Sequence, residues 1–166
     1  MALCFVSIGS NIERERNIRA ALAALRECFG PLLVSSVYET SAVGFVGDPF
    51  YNLVVAFVSN RSPREVAAAL AEIECAHDRI RGGERFTPRT LDLDLLLYDH
   101  RIVREPGLRL PRAEIGKYAF VLEPLAEIAP DLVHPETGRT YGQLERELNQ
   151  DNRSAKRTDF PLEIGS

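Results

Sequence analysis

Long apolar runs are missing from this chain of 166 residues. No stretch approaches the ~20 residues that a bilayer-spanning helix needs. The strand-like run Leu3 to Ile8 is too short for the core of a signal peptide. A cytoplasmic protein with no membrane partner is therefore expected. Cysteine is scarce: Cys4, Cys28 and Cys75 are widely spaced, odd in number and form no CxxC pair. That excludes a disulfide framework or a zinc site and suits a reducing compartment. The histidines, His77, His100 and His134, are equally scattered. No GxxxxGKS/T, GxSxG or HExxH pattern occurs, which sets aside a P-loop, a nucleophile elbow and a zincin helix. An excess of positive charge is absent too. Lys plus Arg total 20 against 24 Asp plus Glu, a net −4, so bulk charge gives no reason to expect a nucleic-acid partner.

What is present is ordinary for a globular domain: 45% hydrophobic and 27% charged residues, at a length that suits one core. Residues 1–150 are expected to form that single domain. Residues 151–166 lack periodicity and read as a loosely held tail. The one lopsided choice is among the cations, where only Lys117 and Lys156 are lysines. Arginine is the residue for forked contacts to phosphate. No apolar stripe or heptad is evident, and a monomer is expected.

Ala2 to Ile8 reads as a buried strand, and Gly9-Ser10-Asn11 as a turn in which Asn11 caps the next helix. From Glu13 to Phe29 the residues Ile18, Leu22, Leu25 and Phe29 recur at helical spacing, and Gly30-Pro31 stops the helix. Leu32 to Thr40 and Tyr51 to Ser59 are β-rich runs around a turn-prone stretch, Gly44 to Pro49, and pair as antiparallel strands. Ser62-Pro63-Arg64-Glu65 has helix-start chemistry in the right order: capping Ser, Pro in the first turn, Glu reaching back. Val66, Leu70, Ile73 and His77 share one face of that helix. Thr90 to Tyr98 is a further strand, and Arg101 to Val103 pairs back across Asp99-His100. The order β-α-β-β-α-β predicts an α+β fold with two helices on one face of an antiparallel sheet. An extra C-terminal hairpin and short helices near Phe120 to Ile128 and Thr140 to Leu148 complete it.

Chemistry concentrates in Arg89-Thr90-Leu91-Asp92-Leu93-Asp94-Leu95. Alternate side chains of a strand share a face, so Asp92 and Asp94 point one way while Leu91, Leu93 and Leu95 point into the core. At ~3.3 Å per residue their Cα atoms lie roughly 6.6 Å apart, and both carboxylates can turn toward one centre. Neighbouring carboxylates resist ionising together unless cations compensate. A small set of oxygen ligands suits Mg²⁺, which keeps waters and takes phosphate oxygens as its remaining ligands. Two acids solvated on an exposed strand face are the plainer reading of the same spacing. The run before them carries Arg79, Arg81, Arg85 and Arg89 around Gly82 and Gly83. A cationic loop beside paired acids supplies both halves of phosphoryl transfer: metal ions bridging phosphate oxygens, and guanidinium groups neutralising developing charge.

These residues resemble the 6-hydroxymethyl-7,8-dihydropterin pyrophosphokinase family of folate biosynthesis. The resemblance runs from Gly9-Ser10-Asn11 to His134-Pro135 and takes in Tyr38-Glu39-Thr40, Asn52, Ile73-Glu74 and Arg79-Ile80-Arg81. Its most specific block is Arg85-Phe86-Thr87-Pro88-Arg89-Thr90-Leu91-Asp92-Leu93-Asp94, and Phe120 to Asp131 closes it. It implies a ferredoxin-like βαββαβ sandwich, in agreement with the element order. It also implies an enzyme that moves pyrophosphate from ATP, its co-substrate, to the hydroxymethyl group of a reduced pterin, releasing AMP. By resemblance, Asp92 and Asp94 hold two Mg²⁺ ions. Arg81, Arg85 and Arg89 are catalytic and meet the nucleotide phosphates or the pterin side, and Glu74 and Leu95 lie on the nucleotide side, where Arg112 or Lys117 is expected to supply the charge of a family residue this chain lacks. The pterin lies between Phe50 and Phe120, with Thr40, Ser41, Val43, Asn52 and Phe86 around it; core packing is the alternative for the two rings.

Several positions depart from the family pattern. Phe86 stands where Trp is common and Ser41 where Pro is usual. Arg112 follows Pro111 where the family has His, and Tyr118 replaces an Arg. The acids and catalytic arginines are intact. A non-catalytic relative that binds pterin or nucleotide is the alternative reading, and an RNA- or protein-binding domain using the arginine loop is a more distant one.

Overall fold

Alternation along the first strand, β1 (Ala2–Ser10), organises the sheet. Cys4, Val6 and Ile8 turn to one face and are buried; Phe5, Ser7 and Gly9 turn to the other. The computed structural model describes residues 1–40, 49–80, 91–150 and 156–157. Within them β1 runs through the sheet between two antiparallel partners, β4 (Phe50–Ser59) and β5 (Asp92–Tyr98). Outside β4 lie two short strands, β2 (Leu33–Val34) and β3 (Tyr38–Thr40), and beyond β3 lies β8 (Lys156–Arg157). The order β5-β1-β4-β3-β8 is that of a ferredoxin-like sheet with one added edge strand.

On one face sit α1 (Arg14–Phe29) and α2 (Pro63–Ile80). Ile18, Leu22, Leu25, Val66 and Leu70 close against Val6, Ile8, Leu53, Val55, Leu93 and Leu95. Each such side chain, fully buried, contributes about 1.5–3 kcal/mol. The start of α2 and the stop of α1 are those read from sequence. Glu65 N–H donates to Ser62 Oγ at 3.2 Å while Ser62 N–H donates to Glu65 Oε1 at 2.9 Å, a reciprocal cap. Gly30 ends α1 at φ 87°, its N–H bonded to Arg26 O.

The opposite face is not left open. α3 (Ala119–Ile128) and α4 (Tyr141–Gln150) cover part of it, preceded by a 3₁₀ turn, Ala113–Gly116. Ile115, Val121, Leu122, Leu125 and Tyr141 pack there on Phe5, Val54, Ala56 and Leu96. The β1–β5 register shifts between Phe5 and Val6, and this bulge turns both Leu96 and Leu97 into the second core. Asp92 and Asp94 share this face, at the end that α3 does not seal.

Three local expectations fail for identifiable reasons. The run Leu32 to Thr40 is two strands, because Ser35 interrupts it. Ser35 Oγ accepts the Val54 N–H at 2.9 Å in place of a backbone carbonyl, and Ser36 N–H and Oγ both turn to the Glu127 carboxylate on α3. Asn11 does not cap α1. Glu13 occupies the N-cap at φ 41° with no side-chain cap, and the Ile12 carbonyl takes bonds from Ser10 Oγ and Asn17 Nδ2 instead. Gly9 and Ser10 still belong to β1, so the turn begins later than expected. Finally, Val103 does not pair back on β5. It opens β6 (Val103–Glu105), which pairs forward with β7 (Leu108–Leu110). Pro106 presets the turn and Gly107, at φ 76°, supplies the left-handed residue it needs.

Candidate active site

A row of facing residues crosses the sheet: Asp92 on β5, Gly9 on β1, Asn52 on β4 and Tyr38 on β3. The next row carries Asp94, Ser7 and Val54. Strands are spaced ~4.8 Å apart, so the acids stand roughly 10 Å from the Asn52 backbone, with only Gly9 and Ser7 between. The small side chains of β1 thus form the floor of a cleft of about 250 Å³. Gly9 must be bare. A Cβ there would lie 3.0 Å from Asn52 Oδ1. With Oδ1 over Gly9, Asn52 Nδ2 donates to Thr40 Oγ1 at 3.0 Å.

Walls rise from both ends of this floor. Phe50, Thr40, Phe120, Tyr118, Arg112 and Glu114 line it together with Asn52 and the acids. Tyr118 stacks on Phe120 with ring centroids 5.0 Å apart and planes at 22°. Arg112 is fixed by its backbone, whose N–H bonds to Leu96 O on β5 at 3.0 Å. Its Nη2 lies 3.4 Å from Asp94 Oδ1 and its Nε 3.1 Å from Glu114 Oε2. The Asp94 side chain remains 44% exposed, so its carboxylate is open to solvent and ligands. Among the described residues lining the cleft, three carboxylates face one guanidinium. The cleft is net acidic and calls for further cations.

No group of three or more His, Cys, Asp or Glu side chains is arranged for a metal among the described residues. Asp92 and Asp94 offer a two-carboxylate set, oxygen only, half-exposed at the wall of a cleft. That donor set fits a hydrated Mg²⁺ and not a closed structural site.

Of the residues singled out from sequence, Thr40, Phe50, Asn52, Asp92, Asp94, Arg112 and Phe120 line this one cleft. Glu74 does not; from α2 its Oε2 accepts the Leu93 N–H at 3.2 Å, on the outer edge of β5. The Leu95 side chain is buried in the α1/α2 core, on the far face from the acids. Ser41, Val43, Arg81, Arg85, Phe86 and Arg89 lie outside the described residues. Gly9, Glu114 and Tyr118 were not placed in the site by sequence. For Gly9 a signal was available: Ser7 and Gly9 are the small alternate residues of an otherwise bulky apolar strand.

The model of the family described as 7,8-dihydro-6-hydroxymethylpterin-pyrophosphokinase matches residues 5–130. The chain belongs to that family. A Pseudomonas aeruginosa relative named 2-amino-4-hydroxy-6-hydroxymethyldihydropteridine pyrophosphokinase is 39% identical over 144 residues, covering 84% of this chain and 88% of its own. A Bacillus subtilis relative of the same name is 35% identical over 145 residues, covering 85% and 86%. Among solved structures, wild-type Plasmodium falciparum HPPK-DHPS superposes with a TM-score of 0.71 over 89% of this chain at 12% identity. This chain spans 44% of that longer one, so the likeness there concerns the fold. Of the four departures from the family pattern noted above, Arg112 and Tyr118 fall in the cleft. Arg112 contacts the acid pair and Tyr118 extends the aromatic wall.

Proposed function

We propose that this pyrophosphokinase-family chain transfers pyrophosphate from ATP to 6-hydroxymethyl-7,8-dihydropterin, giving AMP and the pterin diphosphate, as a step in folate synthesis. One observation carries the reading: a single cleft sets Phe50, Phe120 and Asn52 beside Asp92 and Asp94 across a floor without bulky side chains. A flat heteroaromatic ring needs stacking area and a polar edge to discriminate it. The rings offer the first, and Asn52 Oδ1 with the Thr40-bonded amide the second. A hydroxymethyl group on that ring would then point along Gly9 toward the acid pair.

Asp92 and Asp94 would hold Mg²⁺, which when bound supplies neutralising charge to the ATP phosphates. The remaining work falls to the chain. The ring walls orient the hydroxymethyl oxygen for in-line attack on the β-phosphorus. A new O–P bond forms, the bond from the β-phosphorus to the bridging oxygen breaks, AMP leaves with that oxygen, and the hydroxyl proton is lost. Arg112 and, by resemblance, Arg81, Arg85 and Arg89 offset charge on the transferred group. The reading carries with it a cytoplasmic, monomeric enzyme that takes no nucleic acid. No helix among the described residues is long and apolar enough to cross a membrane.

Incubation with ATP, Mg²⁺ and the reduced hydroxymethylpterin is expected to release AMP in step with pterin diphosphate. An AMP yield equal to a no-enzyme blank overturns the proposal. Asp94→Ala is expected to abolish turnover with little loss of stability, since Asp94 is half-exposed.

A further inference from the structure

Arg112 is held where a cation is wanted, but held loosely. Its closest approach to Asp94, 3.4 Å, is long for a charge-assisted bond, which runs to about 2.7–2.9 Å. Toward Glu114 the Nε comes to 3.1 Å, yet that N–H is enclosed and has no hydrogen-bond partner among the described residues. The guanidinium is therefore neither forked onto a carboxylate nor fully satisfied. Its side chain is 38% exposed, while its backbone is pinned to Leu96.

We propose that Arg112 is a built-in stand-in for metal: its guanidinium lies against Asp94, and a divalent ion that loads the acid pair displaces it. The inference rests on the reading of Asp92 and Asp94 as metal ligands. A monovalent group beside Asp94 lowers the site's affinity for a bare divalent ion by direct repulsion. Once displaced, the fork is released into the same cleft, where its planar donors match phosphate oxygens. Metal binding and polyphosphate binding are thereby coupled through one side chain. The arrangement disfavours metal without nucleotide and favours the two together.

The test uses Mn²⁺ as probe, its free concentration followed by electron paramagnetic resonance, with the full-length protein. Arg112→Gln is expected to bind Mn²⁺ alone about tenfold more tightly than wild type. With a non-hydrolysable ATP analogue present, the same variant is expected to bind the analogue several-fold more weakly. Arg112→Lys keeps the charge but not the fork; it is expected to match wild type for Mn²⁺ alone and to lose analogue affinity. A variant disturbed only in its packing would not move the two affinities in opposite directions. Asp94→Asn separates the layers of the argument. If Asp94→Asn loses Mn²⁺ but Arg112→Gln binds it no better than wild type, the displacement proposal is overturned and the metal reading stands. If Asp94→Asn binds Mn²⁺ as wild type does, the metal reading fails and the proposal with it.

Discussion

Replacing Gly9 by alanine isolates the part of the site that depends on an absent side chain. The added Cβ would stand 3.0 Å from Asn52 Oδ1, so the amide must give by a few tenths of an ångström. Such a shift pulls Nδ2 off Thr40 Oγ1, now 3.0 Å away. Losing that neutral hydrogen bond costs about 0.5–1.5 kcal/mol. Against it, removing a glycine from the unfolded chain returns about 0.4–1 kcal/mol. The two nearly cancel in stability, and the melting temperature of Gly9→Ala is expected within about 4 °C of wild type. They do not cancel in binding, where only the displaced amide counts. A loss of ~1–1.5 kcal/mol there raises the pterin KM about five- to fifteenfold. The KM for ATP is expected to hold, because the acids stand on β5, two strands across the sheet from Asn52 on β4. Steady-state AMP release at varied pterin, beside a thermal melt, reads both quantities. A pterin KM equal to wild type with an unchanged melt would refute the claim that Gly9 is bare for the sake of Asn52. An equal rise in both KM values would show that the floor serves the nucleotide as well.

Two further outcomes test the fold beneath the site. The Tyr141 side chain is fully buried and its hydroxyl finds no hydrogen-bond partner among the described residues; Tyr141→Phe is expected to stabilise the protein by about 1 kcal/mol, a rise of roughly 2–4 °C in melting temperature. The Glu65 carboxyl is held below its ordinary 4.5 first by the Ser62 backbone N–H and then by the Ser62 hydroxyl. A depressed carboxyl pKa stabilises the fold fully above the unfolded value and loses that contribution as pH falls through the folded one. Glu65→Gln is therefore expected to melt below wild type at pH 7, with the gap closing toward pH 3; a gap that is constant with pH refutes the charge in the cap as its source.

What could be read in advance followed from rules that act within a few residues. The capping box at Ser62, the glycine stop at Gly30 and the alternation that sends Asp92 and Asp94 to one face are local, and each holds in the structure. The break in Leu32 to Thr40 was not legible, because it depends on a glutamate distant in sequence. Glu127 takes two bonds from Ser36 and one from Tyr38 Oη at 2.7 Å, and so fastens α3 across the gap between β2 and β3. The cleft itself stood in the same position. Its acids and rings could be named from sequence, but the covering of the second face by α3 and α4 could not. That covering turns an exposed strand into one wall of an enclosure. The Leu95 side chain lies in the core opposite the acids, as strand alternation already indicated.

The electrostatics of the cleft explain why a spare cation there is useful before any ligand arrives. Asp92 and Asp94 are successive residues on one face of β5, with Glu114 lining the same cleft. Two unit charges ~4 Å apart repel by about 1 kcal/mol even in water, and by several where solvent is partly excluded. Left alone, such a cleft would turn away a polyphosphate as firmly as it attracts metal. A fixed cation buried in a tight fork would cure the repulsion but keep the metal out. Arg112 avoids both outcomes because it is pinned at the backbone and weakly engaged at the tip. The charge it offers Asp94 is the charge it can offer a phosphate.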